Sequence, residues 1–127
     1  MLGIERHGRF EISDAVFYDD LDPNAYATGV CVLHGNAFAR LWGICRQRKL
    51  SVVADVHTHP DVGFQSLSDK ANPMVARAGH IAIILPNFAR WPIAQDRTGV
   101  YEYRGDHEWF DRSPTRTPRY FYTGFWS

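Results

Sequence analysis

The sequence predicts a single α/β domain built on a mixed sheet. Three segments indicate it: an amphipathic helix over 36–49, a strand over 50–57 and a wholly apolar strand over 80–85. Where strands and helices interleave in this way, the helices pack against a sheet and give an α/β or α+β fold. The chain has 127 residues, which is enough for one hydrophobic core and too few for two ordinary domains.

The composition is that of a globular protein and argues against several classes of partner. Hydrophobic residues make up 45% and charged residues 22%, and Lys+Arg and Asp+Glu each total 14. A formal net charge of zero argues against a nucleic acid or an anionic membrane held by bulk charge. Residues 1–11 carry no signal-peptide core and no apolar run has transmembrane length. We therefore expect a cytoplasmic protein that keeps Cys31 and Cys45 reduced.

The N-terminal half reads as two strands and a helix. Alternating apolar residues predict a strand over 9–18, entered through a turn over 6–9 from an earlier strand over 1–5. A polar loop over 19–24 and a second strand over 27–33 follow. In the helix over 36–49 Asn36 is the predicted cap, and the apolar stripe comprises Phe38, Leu41, Trp42 and Cys45.

The C-terminal half alternates strands with one short helix. The strand over 50–57 is followed by a helix over 69–78 that Ser66 or Ser68 can cap. The strand over 80–85 is apolar throughout and is predicted to be central. A loop over 86–99 and a hairpin of 100–103 with 108–111 complete the prediction.

Two histidines at the end of the strand over 50–57 carry the chemistry. His57 and His59 stand at i and i+2, so they share one face of the strand, and Asp69 follows ten residues later. Two imidazoles and a carboxylate suit a catalytic Zn²⁺ that keeps its fourth position for water. Pro60 turns the chain away from the strand. Ser66, one helical turn before Asp69, is a candidate catalytic residue whose hydroxyl can bond a developing oxyanion.

The stretch His57-Thr58-His59-Pro60, five residues and Ser66-Leu67-Ser68-Asp69 resembles the JAMM signature of the JAB/MPN-type zinc metalloproteases, HxHP followed by SxxD. The resemblance covers roughly residues 1–111. It implies a cytidine-deaminase-like mixed sheet sandwiched by helices, in a domain over 1–112 that lacks the family's N-terminal helix and first strand. Residues 113–127 form an aromatic-rich tail. The resemblance also implies that His57, His59 and Asp69 bind zinc and that Ser66 supports the transition state.

The family also uses a glutamate, upstream of HxHP, as general base. Residues 1–3 align with the end of the segment that carries it, which would put the glutamate before Met1. Glu5 is the nearest glutamate, but seven to nine residues of strand separate it from the expected position by roughly 25 Å, and Glu11 meets the same objection. We therefore expect both to be solvated charges, while Asp19 or Asp20, toward the opposite end of that hairpin, would lie nearer the metal. Three explanations stay open: the base lies upstream, another chain or element supplies it, or the domain binds zinc without efficient hydrolysis.

The resemblance implies a bacterial, deubiquitinase-like isopeptidase that hydrolyses the bond after the C-terminus of a ubiquitin-like protein. The implied partners are that protein or its conjugates, with E1-like and E2-like proteins. A metal-binding scaffold without the general base and a hydrolase of small amides are the alternatives.

Several further residues have structural interpretations. We expect Cys31 and Cys45 to be buried thiols, Trp42 to be a core residue and His80 to be a core histidine with a polar partner. The aromatic segment 120–126 is a candidate docking element. Ordinary packing is the first interpretation of four aromatic residues, and a groove for an extended peptide is the alternative: Trp91, Tyr101, Tyr103 and Trp109.

Overall fold

The computed structural model describes residues 1–29 and 31–120. The chain divides into two compact units, Met1–Val53 and Ala54–Ser127. Each unit combines strands with helix, so the predicted α/β class is confirmed.

The first unit contains a three-stranded antiparallel sheet. Its strands are β1 (Leu2–Arg6), β2 (Arg9–Asp14) and β3 (Ser51–Val52), in the order β2-β1-β3. His7 and Gly8 have φ values of 52° and 73°, and two positive φ angles are the requirement of the tight turn whose twist matches the flanking strands. The predicted hairpin is confirmed, although β2 ends at residue 14 and does not continue to 18.

Two helices follow in the same unit, α1 (Tyr18–Leu21) and α2 (Gly35–Arg48). The predicted cap of α2 is wrong: the helix begins before Asn36, and its N-cap is His34, which makes no side-chain capping bond. The helix ends where Lys49 takes the left-handed conformation at φ 55°.

The buried side of α2 is narrower than predicted. Ala37, Leu41 and Cys45 are buried and recur every four residues. Trp42 is 38% exposed, so its assignment to the core is wrong. It flanks the buried side and stacks on Phe38 at a ring distance of 6.3 Å.

Residues 19–33 differ most from the prediction. Part of the predicted loop over 19–24 is α1. The predicted strand over 27–33 is wrong for residues 27–29 and 31–33, which are the ones described there. Successive turns replace it, as shown by Ala27 donating to the Asn24 carbonyl and Gly29 to that of Tyr26. Cys31 is exposed, which contradicts its predicted burial.

The other cysteine, Cys45, is buried as predicted, and burial raises the pKa of its thiol. Both cysteines lie among the described residues, and neither forms a disulfide.

The second unit contains a mixed four-stranded sheet. Its strands are β4 (Ala54–Thr58), β5 (Ile81–Leu85), β6 (Gly99–Gly105) and β7 (Glu108–Asp111), in that order. The pair β4–β5 is parallel and the other two pairs are antiparallel. The predicted strand over 50–57 is divided at Val53 between the two units, whereas the predicted interior position of β5 and the C-terminal hairpin are confirmed.

One short helix, α3 (Leu67–Ala71), lies on the connection from β4 to β5. Of the two predicted caps, Ser66 is the one that the structure uses, but the helix begins at Leu67 and ends well before residue 78. Pro73 gives the reason, because proline disfavours helical backbone in the residue before it. The predicted loop over 86–99 is largely irregular and contains two single 3₁₀ turns, Asn87–Ala89 and Gln95–Arg97.

The start of the C-terminal tail is bonded to the sheet. The Ser113 hydroxyl is buried and accepts a hydrogen bond from the Val100 amide at 3.1 Å. The aromatic segment 120–126, a predicted docking element, lies outside the described residues from position 121 onward. Within that range no helix has the length and apolar character needed to cross a bilayer.

Candidate metal centre

The two histidines are held where β4 leaves the sheet. His57 is the penultimate residue of β4, and His59 follows its last residue. The His59 amide donates to the Leu85 carbonyl at 3.0 Å, and the His59 carbonyl accepts from the Phe88 amide at 2.9 Å. Because the backbone of His59 stays bonded beyond the strand end, its side chain keeps the face that His57 presents.

The structure brings the three predicted metal ligands together within the second unit. His57 Nε2 lies 3.4 Å from one carboxylate oxygen of Asp69, and His59 Nε2 lies 3.3 Å from the other. One potential ligand atom from each residue lies within 4.8 Å of those of the other two. Zinc bonds of about 2.0–2.2 Å at tetrahedral angles separate neighbouring donor atoms by roughly 3.3–3.6 Å. The two histidine–carboxylate distances therefore fit a zinc ion.

A capping box orients the Asp69 carboxylate. The Ser66 hydroxyl accepts from the Asp69 amide at 3.1 Å, and the Ser66 amide donates to Asp69 Oδ2 at 2.7 Å. This reciprocal pair is what the S-x-x-D spacing favours at a helix N-terminus. The cap uses the hydroxyl of Ser66 as an acceptor, so its proton stays available for donation. Its predicted catalytic role stays a prediction.

The electrostatics of His57 suit a ligand. Its Nε2 atom is buried and has no hydrogen-bond partner among the described residues, and such orphaned atoms are rare in folded proteins. Burial opposes charging of the ring, but the bond with Asp55 and the negative charges of Asp69 and Asp55 outweigh it and raise the pKa of His57. The two carboxylates thus create a negative potential at this ring, which favours a cation there, either a proton or a metal ion.

Sequence reasoning missed Asp55, which lies behind His57. Asp55 is 8% exposed; its Oδ2 lies 3.5 Å from His57 Nδ1, and its Oδ1 lies 2.7 Å from His80 Nε2. Burial by itself raises the pKa of Asp55, but the hydrogen bonds with His57 and His80 outweigh it and hold that pKa below its usual range. The missed signal is the strand period itself: Asp55, His57 and His59 alternate by two residues and share a face.

The remaining candidates have defined places. His80 is buried with a polar partner, as predicted. Glu5 and Glu11 belong to the hairpin of the first unit, and Asp19 and Asp20 belong to the first turn of α1. Glu5 and Glu11 are exposed, in agreement with the expected solvated charges, and the general-base role considered for Asp19 or Asp20 stays a prediction.

A cavity of about 390 Å³ is formed partly by the chain segments on either side of the Ser66–Asp69 turn. Trp109 and Tyr101 line it, although Tyr101 is buried like Tyr103, as ordinary packing predicts, and Trp91 is 88% exposed. The Trp109 indole donates to the Lys70 carbonyl at 3.1 Å and so attaches β7 to α3. The lining residues are Phe64, Gln65, Lys70, Tyr101, Trp109, Asp111 and Arg116.

Comparison with known proteins points to the same chemistry. The chain is 26% identical over 109 residues to a protein of Sinorhizobium fredii (strain NBRC 101917 / NGR234) named probable metalloprotease y4jG. The similarity covers 85% of this chain and 67% of that protein. No protein-family model matches the chain. The relative and the His57–His59–Asp69 cluster together support a metalloprotease-like protein, which implies a metal cofactor.

Proposed function

We propose that the chain is a JAMM-type zinc hydrolase that cleaves the peptide or isopeptide bond after the C-terminus of a ubiquitin-like protein. The observation that carries the proposal is the convergence of His57, His59 and Asp69 at distances that suit tetrahedral zinc. The HxHP and SxxD spacing and the similarity to a probable metalloprotease support it.

Each side chain of the centre has a separate task in this reaction. Zinc, when bound, supplies a Lewis acid and lowers the pKa of a coordinated water to about 7. His57 and His59 bring neutral nitrogen donors, and Asp69 brings the negative charge that offsets part of the ion's charge. The Ser66 hydroxyl, bonded as an acceptor to the Asp69 amide, directs its proton toward the oxyanion that develops on the substrate.

The cavity beside α3 suits a peptide chain. Tyr101 and Trp109 offer apolar surface, while both polar atoms of the Gln65 amide are buried without a partner among the described residues. A primary amide can donate to and accept from a peptide backbone at once. The zero net charge agrees with a protein substrate. E1-like and E2-like proteins are the further partners that a ubiquitin-like substrate implies.

A zinc-binding scaffold without efficient hydrolysis is the second candidate. In the described structure, two carboxylates contact the histidine rings of the centre, those of Asp55 and Asp69. Asp69 is a ligand, and Asp55 is bonded to two imidazoles with a depressed pKa, which makes it a poor proton acceptor. Without a general base the rate falls by about 10²–10⁴.

The test uses a ubiquitin-like protein fused through its C-terminal glycine to a reporter, and a dipeptide amide as a small substrate. We expect cleavage of the fusion by the zinc-loaded protein, loss of cleavage with a chelator, and loss with His59→Ala. His34→Ala is the matched control, because His34 is exposed and lies outside the metal centre.

The outcomes separate the candidates. Zinc binding with no hydrolysis of either substrate supports the scaffold. Hydrolysis of the amide alone shows that the substrate is small. A protein that binds no zinc at micromolar concentration overturns the proposal.

A further inference from the structure

We propose that Asp55 and His80 form a buried positioning pair that sets the tautomer and orientation of His57 for metal binding. The inference rests on the proposed function and concerns residues outside the HxHP and SxxD pattern. The pair acts through His57 and does not itself touch the metal or the substrate.

Asp55 uses both of its oxygens in this arrangement. Oδ1 lies 2.7 Å from His80 Nε2, and Oδ2 faces His57 Nδ1 at 3.5 Å. The carboxylate is an acceptor on both sides, so each ring nitrogen that faces it carries a proton. His57 then has its proton on Nδ1 and its lone pair on Nε2.

The lone pair of His57 Nε2 is then on the side of the ring that faces Asp69. Nε2 is buried, has no hydrogen-bond partner among the described residues, and lies 3.4 Å from Asp69 Oδ1. Histidine ligands of zinc usually donate their second ring N–H to a carboxylate or carbonyl, which fixes the ring and strengthens the donor nitrogen. Asp55 stands in that position toward His57.

His80 holds Asp55 in place. The side chain of His80 is 2% exposed and precedes β5, the strand that runs parallel to β4. Asp55 is opposite Ala82 in the register, and His80, two residues earlier, shares a face with Ala82. The short bond to His80 prevents the carboxylate from rotating about its side-chain bonds, so the oxygen that faces His57 keeps its direction.

A purely structural role predicts something different. Buried carboxylate–imidazole pairs add little stability over apolar residues of the same shape, although removing one partner is costly. If the pair served the fold alone, its removal would lower the unfolding temperature and leave the affinity for zinc unchanged. If the pair positions His57, the affinity falls even in a protein that stays folded.

The experiment measures the zinc dissociation constant by competition with a chromophoric chelator. We expect Asp55→Asn to bind zinc about 10–100-fold more weakly than the wild type. Asp61→Asn is the matched control, because it removes the same charge from a position two residues after His59. The side chain of Asp61 is 81% exposed. Its affinity should stay within about twofold, because exposed ion pairs contribute little.

Two variants of His80 test the second member of the pair. His80→Gln keeps an N–H donor near the Asp55 carboxylate and should retain more zinc affinity than His80→Leu, which offers none. The visible absorption of the cobalt-loaded protein reports the ligand field, so Asp55→Asn should shift its bands while Asp61→Asn should not.

Thermal unfolding in chelator and far-ultraviolet circular dichroism show which variants fold. If Asp55→Asn reduces the folded fraction, the zinc affinities of His80→Gln and His80→Leu are compared instead. Equal affinities of the two folded variants would then overturn the inference. A folded Asp55→Asn protein with wild-type zinc affinity and an unchanged cobalt spectrum overturns the inference. A wild type that binds no zinc overturns the proposed function, and the two failures are therefore distinguishable.

Discussion

Ser66→Ala separates the capping role of this hydroxyl, which the structure shows, from the proposed role of the same hydroxyl as a donor to the oxyanion. The oxygen caps α3 by accepting from the Asp69 amide at 3.1 Å, and loss of such a cap costs about 1 kcal/mol. For a chain of this size we expect the melting temperature to fall by about 4 °C. The bond from the residue 66 amide to Asp69 Oδ2, 2.7 Å long, involves only backbone on the serine side and survives the substitution.

The catalytic task predicts a larger effect on rate. Because the Asp69 carboxylate keeps its backbone donor, zinc affinity should fall less than tenfold. Loss of one oxyanion donor costs about 10²–10³ in kcat. The assay therefore combines a melting curve, a zinc titration and steady-state cleavage of the ubiquitin-like fusion at saturating zinc.

Ser68→Ala is the matched control for this prediction. Ser68 lies on the same short helix and is exposed, and its side chain takes no part in the capping box. An equal kcat for the Ser66→Ala and Ser68→Ala proteins would refute the oxyanion role. A kcat that recovers fully with excess zinc would show that Ser66 acts only by holding Asp69.

Three further predictions concern the fold and the metal. The Glu102 carboxylate accepts hydrogen bonds from Arg112 and Arg104. Burial by itself raises the pKa of Glu102, but these bonds outweigh it and lower that pKa. The contribution of Glu102 to the free energy of unfolding, about 1–2 kcal/mol, is therefore present above its unfolded pKa and is lost as the pH falls through the folded one. The free energies of urea unfolding of Glu102→Gln and wild type should therefore differ at pH 7 and converge as the pH falls through the folded pKa; a difference that stays constant with pH would contradict this. Gly99→Ala should destabilise by about 3 kcal/mol in urea unfolding, because its Cβ would overlap the backbone oxygen of Gly63. Gly43→Ala, in a helix with open space, should instead stabilise by about 0.5–1 kcal/mol. Removal of zinc by a chelator should lower the melting temperature relative to the protein at saturating zinc. Equal melting temperatures under the two conditions would speak against a resident ion.

Local pattern was enough for much of the second unit. Residue types within a few positions of each other predicted the apolar strand β5, the hairpin of β6 and β7, and a serine cap for α3 at Ser66 or Ser68. The proximity of His57, His59 and Asp69 followed in the same way. The short chain between His59 and Asp69 limits how far their side chains can separate, and the two-residue spacing puts both histidines on one face.

The first unit was predicted less well where local preference competes with tertiary packing. Residues 27–33 have strand-forming composition, yet Gly29, at φ 78°, belongs to a turn. Trp42 fits a helical stripe, but the buried side of α2 is centred on Leu41. Periodicity indicates that one side of a helix is buried, while the packing partners decide how wide that side is.

The sequence by itself determined the class of fold and the three side chains that can hold a metal, because both depend on short-range spacing. Only the tertiary structure decided that Asp55 and His80 meet behind His57. These two residues are 25 positions apart, and their contact arises from the parallel pairing of β4 with β5. Strand pairing over such a separation depends on how the whole sheet assembles, and no local pattern encodes it.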